Sequence, residues 1–196
     1  MRLNPRAALA SVSMLLALSL TATACSGDDG SDEGGPELPS GDPAVFAIET
    51  RTTIGKVEGR LGKADRRRLA NSITDVVQRW FNNAYVAGEY PRTDFHDAYP
   101  GFTPGAREAA HRDRALMSNQ AIGRRISGVT PKQSRLWLDV LAVRKRPVAV
   151  TARFRLAFRT QGDLSRRIGV RGRLMLTRAE SGWRIFGYDV ASGSTA

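Results

Sequence analysis

Four side chains with acid–base chemistry fall close together in the run Asp94-Phe95-His96-Asp97-Ala98-Tyr99. Imidazole exchanges a proton near neutral pH, so a histidine flanked by carboxylates is a candidate general base. His96 and Asp97 are therefore the candidate catalytic residues of this chain, with Asp94 and Tyr99 beside them. A structural reading competes with this one and outweighs it. Aspartates serve turns and helix ends, Pro100-Gly101 follows as a turn signal, and His96 then lies exposed. The second histidine, His111, stands two residues from Asp113. On a helix that spacing does not bring two side chains to one face, so both read as surface.

Other chemistries find little support. Two histidines and one cysteine, Cys25, offer no zinc- or calcium-type ligand spacing, and neither a Gly-rich phosphate loop nor a nucleophile elbow is present. No cofactor or metal is expected. Charge is more informative. The formal net charge is +11, and arginines outnumber lysines by 26 to 4. The acids Asp28, Asp29, Asp32, Glu33, Glu37 and Asp42 cluster in residues 26–42, which contain no Lys or Arg, so the rest of the chain is more basic still. Such a surface favours anionic partners. Arg153, Arg155, Arg159, Arg171 and Arg173 could form one stripe, for which a solvated convex face is the leading reading, and Asp139 and Asp189 read as exposed or paired with arginines of neighbouring strands. Aromatics do not interleave with these arginines as a stacking platform requires, so nucleic acid is not an expected partner.

The elements that position these residues are organised around Val148–Arg159. Val148, Val150, Ala152, Phe154, Leu156 and Phe158 are apolar at every second position, and Thr151, Arg153, Arg155 and Arg159 fill the other face. Successive side chains of a strand point to opposite faces, so this is a long strand with one buried and one cationic side. Residues 44–58 are rich in β-branched side chains and read as a first extended segment. Lys63–Ala87 is an amphipathic helix: Leu69, Ile73, Val76, Val77, Trp80, Phe81, Ala84 and Tyr85 form one stripe, with Gly62 as N-cap and Gly88 as C-cap. Thr103-Pro104 opens a short second helix reaching about Met117. From Arg125 the period changes to two. Short strands near 125–129, 135–144, 168–178 and 183–190 are joined by turns at Lys145-Arg146-Pro147, Gln161-Gly162-Asp163 and Ala179–Gly182. Helices first and an antiparallel meander later give the α+β class.

The N-terminus has a different character. Arg2 and Arg6 precede an apolar run, Ala7–Leu20, and small residues Thr21–Ala24 lead to Cys25. This is the layout of a secretory signal, and the run is too short for a spanning helix. Ala22-Thr23-Ala24-Cys25 resembles the bacterial lipoprotein box, with Ala22 where leucine is commonest. The resemblance implies a signal peptide at 1–24, lipid attachment at Cys25, and an anchor on the extracytoplasmic face of the cell membrane. Residues 25–42 would then hold the acylated cysteine and an acidic, Gly/Ser/Pro-rich tether, with the folded domain at 43–196.

The order of elements in 44–190 resembles the nuclear transport factor 2-like superfamily. The shared features are an amphipathic first helix ending in aromatics, a short second helix, and a meander closing on Gly182-Trp183-Arg184-Ile185-Phe186-Gly187-Tyr188. That resemblance implies a cone in which a curved antiparallel sheet wraps the long helix. Its enzymes use an acid–base pair on the cavity wall, and many small anchored members have no assigned activity. Trp80, Tyr85, Phe95, Tyr99, Phe102 and Trp137 are candidate cavity-lining residues, with core packing as the alternative. The expectation is a non-catalytic binding or accessory module of the cell envelope. Its partners would be the bilayer through Cys25, together with an envelope protein complex, an apolar small molecule or an anionic envelope polymer. The alternatives are a small lyase- or isomerase-type enzyme and a module that forms a homodimer through its sheet.

Overall fold

The structure, a computed structural model, describes residues 49–194. The expected signal sequence, Cys25 and the acidic segment lie outside the described residues. Those described belong to one compact unit, Asp42–Ala196.

The chain opens with strand β1 (Arg51–Glu58) and then forms helix α1 (Lys63–Phe81). Gly62 is the N-cap, and Asp65 places a carboxylate in the first turn, where the helix dipole favours it. The apolar stripe buries Leu69, Ile73, Val76, Val77, Trp80 and Phe81, each of which stabilises the fold by roughly 1.5–3 kcal/mol. Arg66, Arg67 and Arg68 are exposed, as a solvated start of the helix requires. The sequence predicts α-helix to Ala87, but Asn82–Val86 is a π turn, closed by Ala87 N–H donating to Asn82 O at 2.8 Å. Ala84, Tyr85 and Val86 are all buried there. Three consecutive residues cannot all face one side of an ordinary α-helix, and the wider turn accommodates them. Gly88 follows at φ +103°.

Thr103 caps helix α2 (Pro104–Arg112) with proline in its first turn. A break at Asp113 separates it from α3 (Arg114–Met117). Four strands complete the fold: β2 (Gly128–Val143), β3 (Arg146–Gln161), β4 (Arg167–Ala179) and β5 (Gly182–Ser194). Of the short strand expected near 125–129, Gly128 and Val129 open β2 while Arg125 ends a 3-10 turn, Gly123–Arg125; β2 continues past Pro131 through a bulge.

The five strands lie in sequence order, β1-β2-β3-β4-β5. The expected antiparallel sheet is corrected here to a mixed one: β2 to β5 are antiparallel, but β1 pairs parallel with β2, placing Arg51 opposite Arg135 and Ile54 opposite Leu138. The physical reason is the connection. Helices α1 to α3 form a crossover long enough to return the chain to the end from which it started. The β2–β3 turn also differs from expectation. Val143 pairs with Arg146, so the two-residue loop is Arg144-Lys145, with φ of 49° and 63°. Two positive φ values define the mirror-image turn that suits the twist of a hairpin.

One face of the sheet carries Leu136, Leu138, Val140, Val150, Ala152, Phe154, Leu156, Phe158, Leu174 and Leu176, all buried against α1 and the 95–117 segment. The edge of β5 is partly covered. Phe102 bridges Ile185, with Thr103 N–H donating to Ile185 O and Ile185 N–H donating to Gly101 O, both at 2.9 Å. Gly101, at φ +82°, makes that turn against Val76.

Candidate functional site

The inner face was the expected place for a cavity. Trp80, Tyr85, Phe95, Tyr99 and Phe102 are all at most 3% exposed. Trp80 is the hub: its ring centroid lies 5.1 Å from Phe81, 5.7 Å from Tyr85 and Phe102, and 5.4 Å from Phe154. Tyr85 continues the chain of rings to Phe158, and Tyr99 to Phe102. These are edge-on and tilted contacts of close-packed aromatics. Their polar atoms are used as well. Trp80 Nε1 donates to Met117 O at 3.2 Å, Tyr85 OH to Leu116 O at 2.5 Å, and Asn119 Nδ2 to Tyr85 O at 2.8 Å. The end of α1 and the π turn that follows it are thus fastened to residues 116–119 by donors that burial would otherwise strand. Burial raises the Tyr85, Tyr90 and Tyr99 hydroxyls above the ordinary tyrosine range.

Trp137 does not join this group. Its neighbours Leu136 and Leu138 are fully buried, and Trp137 points to the opposite face of the sheet. A lining made of all six aromatics is therefore corrected to five core residues and one outward residue.

The 94–99 segment is a turn. Asp94, His96 and Asp97 are exposed, and His96 N–H donates to Asp94 Oδ1 at 2.8 Å. That aspartate serves its own backbone rather than the imidazole. Arg92 holds the segment in place: Nη1 donates to Asn83 O at 2.8 Å, Nε donates to Asp94 O at 2.6 Å, and the guanidinium lies 4.1 Å from the Phe95 ring centre. Sequence reasoning missed a pairing elsewhere. Tyr188 OH donates to Asp113 Oδ2 at 2.7 Å, and His111 stands edge-on to Tyr99 with centroids 4.8 Å apart. Burial first, and the Asp113 bond second, push the Tyr188 hydroxyl well above its ordinary value. The pair joins β5 to the α2–α3 break, 75 residues away in sequence, and no local spacing signals it. A tyrosine so hard to ionise is suited to bracing rather than proton transfer at neutral pH.

The outer face is built differently, and strand register decides how. Arg51 lies opposite Arg135, Arg135 opposite Arg155, and Arg155 opposite Arg171. Four exposed arginines thus stand in one row across four strands. The adjacent row runs Thr53, Trp137, Arg153, Arg173, Asp189. Carboxylates neutralise that row: Asp189 Oδ2, within it, pairs with Arg173 Nη2 at 2.7 Å, and Asp139 Oδ2, opposite Thr151 one row further, reaches Arg153 Nε at 3.2 Å. Among the described residues, Arg51, Arg135, Arg155 and Arg171 have no such carboxylate. The expected stripe is thus divided by register: Arg155 and Arg171 join Arg51 and Arg135 in one row, Arg153 and Arg173 lie in the adjacent row, and Arg159 stands opposite Arg167.

Two troughs open on this face, of about 460 and 330 Å³, and they share Arg155, Arg171 and Ala191. Their floors are backbone and small residues: Gly172 in the first, and Ala157, Gly169 and Gly193 in the second. Trp137 stands at the end of the first. Guanidinium groups above a floor of low side-chain volume can reach an anion from two sides. Among the described residues no group of three metal-ligating side chains occurs, and no helix is long and apolar enough to cross a membrane. Searches of protein-family models, curated proteins and solved structures return no match to this chain.

Proposed function

We propose that this chain is a membrane-tethered extracytoplasmic lipoprotein whose α+β domain is a nuclear transport factor 2-like cone acting as a non-catalytic binding or accessory module of the cell envelope. The anchor rests on Arg2 and Arg6, the apolar run Ala7–Leu20 and the sequence Ala22-Thr23-Ala24-Cys25. Two or more acyl chains give stable attachment where one does not. The cone reading is supported by the placement of α1 on the inner face of a sheet whose register shifts at four points, each of which bends a strand.

One observation carries the non-catalytic reading. The interior, where a cone enzyme would hold substrate, is filled by Trp80, Tyr85, Tyr99 and Phe102 in ring contact, and the concavities lie around it: two on the outer face, one of about 530 Å³ between α1 and the β4–β5 turn, and one of about 230 Å³ beside residues 115–122. Binding at a surface then fits better than turnover in a pocket.

Intact mass of the protein from the membrane fraction, wild type against Cys25→Ala, tests the anchor. Loss of residues 1–24 with acyl mass on Cys25 is expected. A mature chain cleaved elsewhere and unmodified would overturn the lipoprotein assignment.

A further inference from the structure

We infer that the outer-face arginine row is a binding site for an extended phosphate-bearing polymer, an inference that rests on the binding-module reading above but not on the lipid anchor. The observation behind it is an arrangement that works against folding. Like charges directly opposite on neighbouring strands destabilise a sheet, and Arg51, Arg135, Arg155 and Arg171 form three such contacts in succession. The next row is neutralised by Asp139 and Asp189, so acids are available on this face and yet are placed away from the row. Beyond that neutralised row, the described residues of this face hold one further like-charge pair, Arg159 opposite Arg167, but only Arg51, Arg135, Arg155 and Arg171 make a continuous line, of about 14 Å from strand spacings of about 4.8 Å.

The geometry selects the ligand. A carboxylate is satisfied by one guanidinium fork, whereas a phosphate has enough oxygens to accept from two. Arg155 and Arg171 face each other across β3 and β4 and present two forks to one anion. The row repeats this pairing across β2 and β1, so a chain with successive phosphates engages it along its length. The site is also a trough rather than a raised surface. Ala157, Gly169 and Gly193, with the backbone of Gly172, form its floor beside Arg155 and Arg171. A narrow chain reaches that floor, and a flat layer of lipid headgroups does not. Trp137, beside Arg153, supplies an apolar wall at one end.

The test uses the full-length chain and inorganic polyphosphate, followed by calorimetric titration at several salt concentrations. Expected is binding that weakens steeply with salt, as multiple phosphate contacts require. Arg155→Gln with Arg171→Gln should weaken it at least about tenfold and flatten the salt dependence, because two contacts are lost. The same double variant should melt no lower than wild type, since opposed like charges are removed, and this shows that the fold is intact. Arg67→Gln with Arg107→Gln removes equal charge from exposed helical positions and should leave affinity within about twofold. Equal losses in the two double variants would reduce the effect to net charge and overturn the site. Polyglutamate binding as tightly as polyphosphate would overturn the phosphate preference. Tighter association with phosphatidylglycerol than with phosphatidylcholine vesicles, without polyphosphate binding, would transfer the row to a membrane surface and overturn the polymer. An acylated chain that ignores polyphosphate sinks this inference alone, and an unacylated chain that binds it sinks the anchor alone.

Discussion

The two faces of the five-stranded sheet are made from the same strands, residue by alternate residue, and they solve opposite problems. The inner face spends aromatic volume on closing a core: Trp80 touches four rings and donates to Met117 O. The outer face carries small residues, Ala157, Gly169 and Gly193, beside arginines that repel one another. Stability explains the first arrangement completely. It does not explain the second, and a surface that costs stability without an internal partner points outward, to something it meets.

The comparison predicts unequal responses. Trp80→Ala should cost about 3–5 kcal/mol, because the whole indole is buried among rings that cannot close over the gap; urea denaturation measures it, and a cost below about 1 kcal/mol would mean that the inner face is loosely packed. Alkaline pH should strike the same face. Tyr85, Tyr90, Tyr99 and Tyr188 all have hydroxyls raised above 10.0. The folded state then holds protons that the unfolded chain releases, so stability is intact below about pH 10 and falls above it. Ultraviolet titration should show tyrosinate forming only together with unfolding; four tyrosines ionising freely in the native protein would contradict the inner-face packing.

Smaller effects belong to the outer face and its rim. Arg144→Asn with Lys145→Gly should raise stability by about 0.5–1 kcal/mol, since both positions have positive φ that the new residues adopt without strain. An unchanged melting temperature would mean that the hairpin tolerates its present residues at no cost. Asp189→Asn should change stability least, by about 0.2–1 kcal/mol, because its bridge to Arg173 is exposed. It should also tighten polyphosphate binding by freeing Arg173; weaker binding would show that the carboxylate organises the site instead of limiting it.

The inner face was largely legible in the sequence. Burial imposes period two on Val150–Phe158 and period 3.6 on Leu69–Phe81, and the structure places both where the patterns put them; Val148, read as the first buried member of the strand, is exposed beside the β2–β3 turn. The direction of β1 was not legible, since residue types do not record whether a neighbour runs parallel. Nor was the arginine row. Arg51 and Arg135 join Arg155 and Arg171 only through register, which turns and bulges set over long separations. The Tyr188–Asp113 bond has the same character. Trp137 is a different lesson: its alternation with Leu136 and Leu138 already placed it outside, and grouping it with the interior aromatics followed residue type instead of position.

Strand β1 has a consequence in folding and exchange. It is short, lies at the edge, and is held to β2 by pairs more than 80 residues apart, such as Arg51 with Arg135, next to the 2.8 Å bond between Thr50 and Ser134 just before the strand. Such a strand docks late and opens first, because its loop-closure entropy is repaid only after the rest of the sheet exists. Arg51, the outermost member of the row, rides on it. A polymer that spans the row therefore ties the least protected strand to the most protected ones, and its arrival should register as slowed amide exchange in β1 before it registers anywhere else.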